Sequence, residues 1–352
     1  MPLNRKASIL FLISFALYIG LSFVVGLALP KDGSDDLLFL LSSVAVSVPA
    51  FLIPAVVFRR KNRFPFAPMP RFSHILLAVI IGVGCIIMNV ALSNLTNALY
   101  FGIEVDSNST SSDTIMNLAS WNMVLSLAII PPLSEEFIMR GALLESWRRY
   151  SPFGAAIITA LLFALLHLAP SYFLVYLGIG LLLACVYLIT RNVWLTVIIH
   201  FVNNLATVLA ALSMKSSGLD PTAVAESPDA ADVFANLMGS ATGYVFLGLI
   251  YGAVAAAIIV PAVLGLKRSC QRYGLGKYSA GGDAFLPRKE SKDPLAELYY
   301  DDQPTDEAVI KGETDEGGKP SMWKDAVLWI ALAILIILNV VAGLQEFGVI
   351  GD

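Results

Sequence analysis

The sequence predicts an all-α, polytopic integral membrane protein, a helical bundle of about 8–9 transmembrane helices. Of its 352 residues, 57% are hydrophobic and only 14% are charged, and the mean hydropathy is +0.74. Soluble globular domains are about 45–50% apolar and about 25% charged, so the composition excludes an ordinary soluble protein of this size. The apolar residues also form runs of about 20, the length that crosses the hydrocarbon core of a bilayer.

We predict nine spans from these runs. The first follows Asn4-Arg5-Lys6 and is longer than the 7–15 apolar residues of a secretory signal, which predicts an uncleaved anchor. The predicted spans are 7–29, 37–58, 73–100, 118–144, 153–169, 171–190, 193–213, 241–266 and 323–344.

Basic residues fall on alternate connections between these spans. They are Arg5, Lys6, Arg59, Arg60, Lys61, Arg63, Arg71, Arg148, Arg149, Arg191, Lys267 and Arg268. The intervening connections are poor in cations, and 104–113 is acidic or polar. Because cations concentrate in cytoplasmic loops, the pattern predicts a cytoplasmic N-terminus and an extracytoplasmic C-terminus.

The spans group into five parts along the chain. These are three N-terminal helices (1–115), a core that carries the polar motifs described below (116–213), an extracytoplasmic loop with the eighth span (214–266), a cytoplasmic loop (267–322) and a C-terminal span (323–352). The cytoplasmic loop contains an acidic stretch and is predicted to be flexible. It is either a solvated tether for the ninth span or a docking segment, and the sequence does not separate the two.

Several classes of partner and chemistry are disfavoured. A net charge of −4 does not indicate nucleic acid as a partner, so the expected surroundings are the lipid bilayer. The three cysteines, Cys85, Cys185 and Cys270, imply neither a disulfide framework nor a cysteine metal site. No phosphate loop, dinucleotide fingerprint, His-Glu-x-x-His or Gly-x-Ser-x-Gly pattern is visible, which disfavours nucleotide-driven pumps, helical zinc proteases and serine hydrolases.

Three successive spans carry polar or aromatic residues at a spacing of four, which places both members of each pair on one helix face. The residues are Glu136 and Arg140, behind Glu135; Phe163 and His167; and His200 and Asn204. Ionisable groups in hydrocarbon are costly and usually mark a functional site. The pattern therefore predicts a catalytic cavity within the membrane, lined by acid, imidazole and amide groups.

The connection at Ser151 suggests which groups meet. Glu135 and His167 are each 16 residues from Ser151 in the sequence, so in an antiparallel hairpin they lie at equal depth and are predicted to form a pair. Phe163, one turn before His167, is either plain core packing or a shelf for the imidazole.

The acid pair also has a predicted local structure. Pro131-Pro132 predicts that the helix breaks or restarts, with Ser134 as an N-cap just before Glu135. Glu136 and Arg140 are predicted to neutralise each other, which leaves Glu135 free to react. Glu145 and Arg149 form a further pair of the same kind.

The ordered set Glu135-Glu136-x-x-x-Arg140, Phe163-x-x-x-His167 and His200-x-x-x-Asn204 resembles the three-part signature of the CAAX prenyl protease and bacteriocin-processing (Abi) family. The likeness covers about 120–206, roughly a quarter of the chain. It implies an intramembrane endopeptidase that needs no cofactor and acts on a membrane-associated or lipidated protein or peptide, which is prenylated for some members.

The resemblance also implies a role for each motif residue. Glu135 is then the general base and His167 its partner in activating water. His200 and Asn204 stabilise the oxyanion, and Glu136 with Arg140 braces the helix.

Three alternatives stay open. Glu135, His167 and His200 are enough ligands for a catalytic zinc with one position left for water, although no carboxylate is evident behind His200. A proton-coupled transporter uses buried Glu, His and Arg as relay groups. A non-enzymatic scaffold needs the cluster only to lock helices together.

Overall fold

The structure is a computed structural model that describes residues 1–28, 36–64, 69–102, 118–217, 239–272 and 322–349. Within these ranges it is helical and contains no strand, and eight of its helices are long and apolar enough to cross a membrane. The predicted fold class, a polytopic all-α membrane protein, is confirmed. The acidic loop at 104–113 and almost all of the 267–322 loop lie outside the described residues.

The helices are numbered here in chain order. They are α1 Leu3–Ala28, α2 Asp36–Ser47, α3 Ile53–Lys61, α4 Phe72–Leu99, α5 Ser120–Met123, α6 Ile130–Ile138, α7 Glu145–Trp147, α8 Pro152–Leu166, α9 Phe173–Thr190, α10 Val193–Ser217, α11 Ala241–Arg272 and α12 Ala326–Glu346. Helices α2 and α3 form one span joined by a π-helical turn. Helices α5, α6 and α7 form another, Ser120–Trp147, joined by two such turns. The predicted orientation of the termini stays a prediction.

The fifth predicted span is shorter in the structure than 153–169. Helix α8 has 15 residues, about 22 Å at ~1.5 Å per residue. Ser151 caps its start by accepting a hydrogen bond from the Gly154 backbone N–H at 3.1 Å. At the other end, His167 is the C-cap and Leu168 turns the chain with a φ of +49°. His167 therefore lies at the end of a helix, not within one.

Of the predicted break or restart at Pro131-Pro132, the structure shows a restart: a new α-helix begins at Ile130. The helical path continues, because both prolines fall at the start of α6, where a missing N–H and a fixed φ are tolerated. The preceding π-helical turn, Val124–Ile129, absorbs the irregularity. Ser134 is buried inside α6 and is not an N-cap; the N-cap is Ile129.

Two glycines allow the close helix contacts around the motif residues. A Cβ on Gly82 of α4 would lie 2.7 Å from the Val202 Cβ of α10. A Cβ on Gly180 of α9 would lie 3.0 Å from the Ala160 Cα of α8. A larger residue at either position would require its neighbour to move, so these glycines allow the close approach of α4 to α10 and of α9 to α8.

The two ends of the fourth span are pinned by polar contacts. At its start, Asp36 accepts hydrogen bonds from the Ala119 N–H at 2.7 Å and from Asn122 Nδ2 at 3.0 Å. Bonds to the charged form hold the pKa of Asp36 below its ordinary value, with Asn122 the larger cause. These contacts join the start of α2 to the start of α5.

At the other end of the span, Glu145 is the centre of a cluster of arginines. Its Oε1 lies 2.6 Å from both Arg148 Nη2 and Arg191 Nη2, while the Tyr187 hydroxyl donates to Oε2 at 2.8 Å. The predicted partner Arg149 lies farther away, at 3.8 Å. The predicted pair is therefore part of a larger network that ties α7 to α9.

Candidate active site

A cavity of about 530 Å³ opens between α4, α8, α9, α10 and the fourth span. Five of the sequence-predicted residues line it: Glu135, Phe163, His167, His200 and Asn204. The other two, Glu136 and Arg140, lie behind the wall and are fully buried. All three motifs thus converge on one place inside the bundle.

Glu135 presents its carboxylate to this cavity. Its Oε2 is buried, and no hydrogen bond to it comes from any residue in the described part of the chain. Glu135 and His167 share the cavity as their hairpin register predicts, but no direct hydrogen bond joins the two side chains among the described residues. A molecule in the cavity can therefore contact both groups.

Glu136 is paired on two sides. Arg140 Nη1 donates to Glu136 Oε1 at 2.8 Å, and His200 Nδ1 lies 3.1 Å from the same oxygen. Arg140 Nη2 also donates to the Gly180 carbonyl at 3.0 Å, and its guanidinium lies 5.0 Å from the centre of the Phe163 ring. The ion pair predicted from the spacing of four is present, and it fixes α6 to α9 as well.

The contact between Glu136 and His200 overturns one expectation. From the sequence no carboxylate was evident behind His200, because residues 64 positions apart gave no sign that they touch. The structure places the Glu136 carboxylate there. An ionised carboxylate only accepts hydrogen bonds, so Nδ1 of His200 carries the hydrogen and Nε2 is the nitrogen left for the cavity.

The orientation of His167 is fixed in the same way. Its Nδ1 lies 2.7 Å from the Phe163 carbonyl oxygen, which only accepts, so Nδ1 is the N–H donor. In the neutral ring Nε2 then carries a lone pair. The Tyr176 ring stacks on the imidazole at 3.8 Å between centroids with 18° between planes, which holds the ring in this position.

The two interpretations of Phe163 both apply. The side chain is 1% exposed, as expected for core packing. Its ring also meets His167 edge-on at 4.8 Å and His200 edge-on at 5.7 Å between centroids. Phe163 is therefore a core residue that separates the two imidazoles.

Asn204 lines the cavity and is anchored to the fourth span. Its Nδ2 donates to the Leu127 carbonyl at 3.0 Å. A side-chain amide nitrogen has two N–H groups, so this bond leaves one for a ligand.

Sequence reasoning missed several residues of the cavity wall, among them Asn89, Tyr176 and Asn203. The spacing rule contains a signal for the first, because Asn89 and Ser93 are four apart in the apolar helix α4 and both line the cavity. Asn203 directly precedes a motif residue. Tyr176 had no comparable signal, since aromatic residues are common in membrane helices.

The zinc alternative needs Glu135, His167 and His200 to converge on one point. Among the residues that the structure describes, no three His, Cys, Asp or Glu side chains lie in a group that could hold a metal ion.

Comparisons with known proteins agree with the motif assignment. Residues 117–206 match the family model described as type II CAAX prenyl endopeptidase Rce1-like. The Bacillus subtilis (strain 168) protein named "Putative membrane peptidase YdiL" is 28% identical over 116 residues, which is 32% of this chain and 46% of that relative. The match thus spans about half the length of the relative. No solved structure matches the chain significantly.

These matches confirm the family resemblance over the segment that contains all three motifs. Over this segment the chain is similar to membrane peptidases, and its long apolar helices indicate a multi-pass membrane protein.

Proposed function

We propose that the chain, whose segment 117–206 matches the type II CAAX prenyl endopeptidase model, is an intramembrane endopeptidase. It hydrolyses a peptide bond in a membrane-associated or lipidated protein or peptide. The observation that carries the proposal is the carboxylate of Glu135, whose Oε2 is buried without a hydrogen-bond partner among the described residues and which shares a cavity with His167. A buried ionisable group of this kind is costly and is expected where it takes part in chemistry.

In this proposal Glu135 and Nε2 of His167 both bind the attacking water. Glu135 removes one proton as the water oxygen bonds to the scissile carbonyl carbon, and His167 accepts the other O–H as a hydrogen bond. The carbonyl π electrons move to the oxygen. When the C–N bond breaks, Glu135 returns its proton to the leaving nitrogen, so the enzyme ends in its starting state.

Two donors would bind the developing oxyanion. The second N–H of Asn204 is one of them. The other is Nε2 of His200, which has a hydrogen to donate only when the ring is an imidazolium, because Nδ1–H is already committed to Glu136. Donors placed in a site that excludes water stabilise this charge more than they would in bulk solvent.

The catalytic arrangement that this proposal requires is balanced in charge. Arg140 neutralises Glu136, so a protonated His200 would be balanced by an ionised Glu135. The four side chains together are then neutral, which lowers the cost of burying them.

Cleavage of a peptide by the purified protein is the primary test. Wild type, Glu135→Gln and Glu346→Gln are reconstituted in vesicles with a library of membrane-proximal peptides, and new termini are identified by mass spectrometry. Glu346→Gln is the matched control, because that carboxylate lies outside the cavity and bonds Ser171. We expect cleavage by wild type and the control and none by Glu135→Gln. Normal turnover by Glu135→Gln would end the proposal, and proton-coupled uptake without cleavage would favour a carrier.

Two further measurements define the reaction. We propose that no metal takes part, so activity should persist in chelator; loss of activity that added Zn²⁺ restores would contradict this. Matched peptides with and without a prenyl group on a C-terminal cysteine would show whether the substrate is prenylated.

A further inference from the structure

Three side-chain amides form a row along one wall of the cavity. Asn89 Nδ2 donates to Asn203 Oδ1 at 2.7 Å, and Asn203 Nδ2 donates to Asn204 Oδ1 at 3.3 Å. Asn204 Nδ2 then donates to the Leu127 carbonyl at 3.0 Å. The row thus connects α4, α10 and the fourth span.

The Leu127 carbonyl fixes the direction of the whole row. In an α-helix this oxygen would accept from residue 131, and in a π-helix from residue 132. Both residues are proline and have no N–H, so the carbonyl needs a donor from elsewhere. Of the two ends of the Asn204 amide only the nitrogen can donate, and the amide therefore turns its nitrogen toward Leu127.

Each amide then dictates the next one. With its nitrogen at Leu127, Asn204 presents its oxygen to Asn203, which must donate. Asn203 in turn presents its oxygen to Asn89, which must also donate. Asn89 is left with a buried Oδ1 that has no partner within the described residues. Turning Asn89 over would place two amide oxygens, both acceptors, against each other.

The backbone holds the first member of the row in reach. Gly82, two turns before Asn89 on α4, meets Val202 of α10 at a distance that excludes any larger residue. Asn203 is the next residue after that contact and is 7% exposed. The close packing of α4 on α10 thus makes the bond between Asn89 and Asn203 possible.

We propose that Asn89 and Asn203 are positioning residues that reinforce the orientation set by the Leu127 carbonyl and so keep the Asn204 amide with its nitrogen, not its oxygen, available to the reacting carbonyl. An amide turned the other way would place a partial negative charge where negative charge develops. This inference rests on the proposed function, because it assigns the two residues a role through an oxyanion donor.

The test compares two asparagines of the same helix. Asn89→Leu removes the first donor while keeping similar volume. Asn94→Leu is the matched control, since Asn94 bonds only the Val90 carbonyl of its own helix at 2.8 Å and is not on the cavity wall. With the peptide that wild type cleaves fastest, we expect Asn89→Leu to lower kcat by about 10- to 100-fold with KM unchanged, less than the ~10²–10³ of a lost oxyanion donor. Asn94→Leu should match wild type.

Testing Asn89→Leu in a second variant, Asn204→Ala, distinguishes a positioning role from a general loss of structure. If Asn89 acts through Asn204, Asn89→Leu should change the rate by less than about twofold in an Asn204→Ala protein. Multiplying effects would overturn the proposal. Asn89→Ser, which keeps a hydroxyl donor, should recover part of the lost rate and replaces Asn89→Leu if that variant does not fold.

A measurement without turnover keeps the two proposals distinct. In protein labelled with ¹⁵N in asparagine side chains, the Asn204 amide signals are identified by their loss in Asn204→Ala. We expect Asn89→Leu to shift them and Asn94→Leu to leave them in place. Unchanged signals would refute the relay even if the protein cleaves peptides, and shifted signals in a protein that cleaves nothing would refute the proposed function alone.

Discussion

Glu135 and Glu136 are neighbours in the sequence and are treated in opposite ways by the structure. Glu136 is fully buried and binds Arg140 and His200. Both partners of Glu136 bond its Oε1, and its Oε2, like that of Glu135, is buried without a hydrogen-bond partner in the described ranges. The difference is that Glu135 has no ion-pair partner at hydrogen-bond distance in those ranges and lines the cavity. Successive residues of a helix point about 100° apart, so one helix turn supplies a carboxylate to the packed interior and another to the cavity.

The difference separates the support of the site from its chemistry. A buried carboxylate with an arginine and an imidazole is stable only as a set, because removing one partner leaves an uncompensated charge. A carboxylate without a partner contributes nothing to packing that an amide of the same shape would not. We therefore expect substitutions behind the cavity wall, as at Glu136, to lower stability. Substitutions on the wall, as at Glu135, should lower the rate of cleavage.

The largest effect on stability should come from Glu136→Gln. It leaves the Arg140 guanidinium buried without its counter-charge, which costs about 3–5 kcal/mol in comparable pairs. Unfolding in detergent, followed by denaturant titration, measures the loss. Glu135→Gln is the matched control and should be as stable as wild type. A Glu136→Gln/Arg140→Leu protein, which no longer has the unpaired guanidinium, should recover part of the stability. Equal stability of Glu136→Gln and Glu135→Gln would contradict the different roles assigned to the two glutamates.

Substitutions of the two histidines should differ in how much they lower stability. His167→Ala should lower the rate by about 10²–10⁴, the range for a lost acid–base group, with little loss of stability, because its bonded partner is a backbone carbonyl in the chain's own helix end. His200→Ala should lower the rate and also cost about 1–3 kcal/mol, since it deprives a buried carboxylate of a donor. Cleavage rates and unfolding of both variants, side by side, test this. Equal destabilisation by the two changes would contradict it.

Asn204→Ala should have the next largest effect on rate. Loss of one oxyanion donor costs about 10²–10³ in kcat, and the truncated side chain also leaves the Leu127 carbonyl without the donor that the two prolines withhold. Single-turnover rates at saturating peptide measure the chemical step. Asn339→Ala is a suitable control, because that amide bonds the Leu165 carbonyl away from the cavity. A loss confined to KM would argue against an oxyanion role.

Much of this organisation follows from the sequence. Hydropathy predicts the spans because each must cover its own length of hydrocarbon, and spacing predicts the Glu136–Arg140 pair because residues four apart are neighbours on any helix. The early end of α8 and the π-helical turns were not predictable, since they depend on how neighbouring helices pack. The contact between Glu136 and His200 depends on which face of α10 meets α6, and a single sequence does not contain that information.

The position of Asn89 on the cavity wall could also be predicted from the sequence. Asn89 and Ser93 have the same spacing of four on an apolar helix as the three motifs. Neither residue is ionisable, so neither carries the high cost of burial that marks the acids and histidines. Polar uncharged pairs in membrane spans therefore merit the same attention as acids and histidines.

A smaller effect tests the packing behind the wall. Gly180→Ala would place a Cβ 3.0 Å from the Ala160 backbone, next to the carbonyl that accepts from Arg140. Because the obstacle is backbone, we expect a cost of about 1–3 kcal/mol, measured by unfolding in detergent. Gly252→Ala is the control: its Cβ would meet only Ala91 at 4.0 Å, and higher helix propensity should stabilise it by up to about 1 kcal/mol. Equal responses would show that the close approach of α8 and α9 is not required.

The smallest effect should come from the stack on His167. Tyr176→Leu removes an aromatic contact worth about 0.5–1.5 kcal/mol, which corresponds to about a 2- to 13-fold loss of rate if all of it holds the imidazole in its reactive position. Tyr176→Phe keeps the ring and should behave as wild type, because no hydrogen bond of the Tyr176 hydroxyl appears among the described residues. A loss in Tyr176→Phe as large as in Tyr176→Leu would assign the effect to the hydroxyl and make Tyr176 a polar member of the wall. A loss of rate in Tyr176→Leu but not in Tyr176→Phe would show that the aromatic ring holds the His167 imidazole in position.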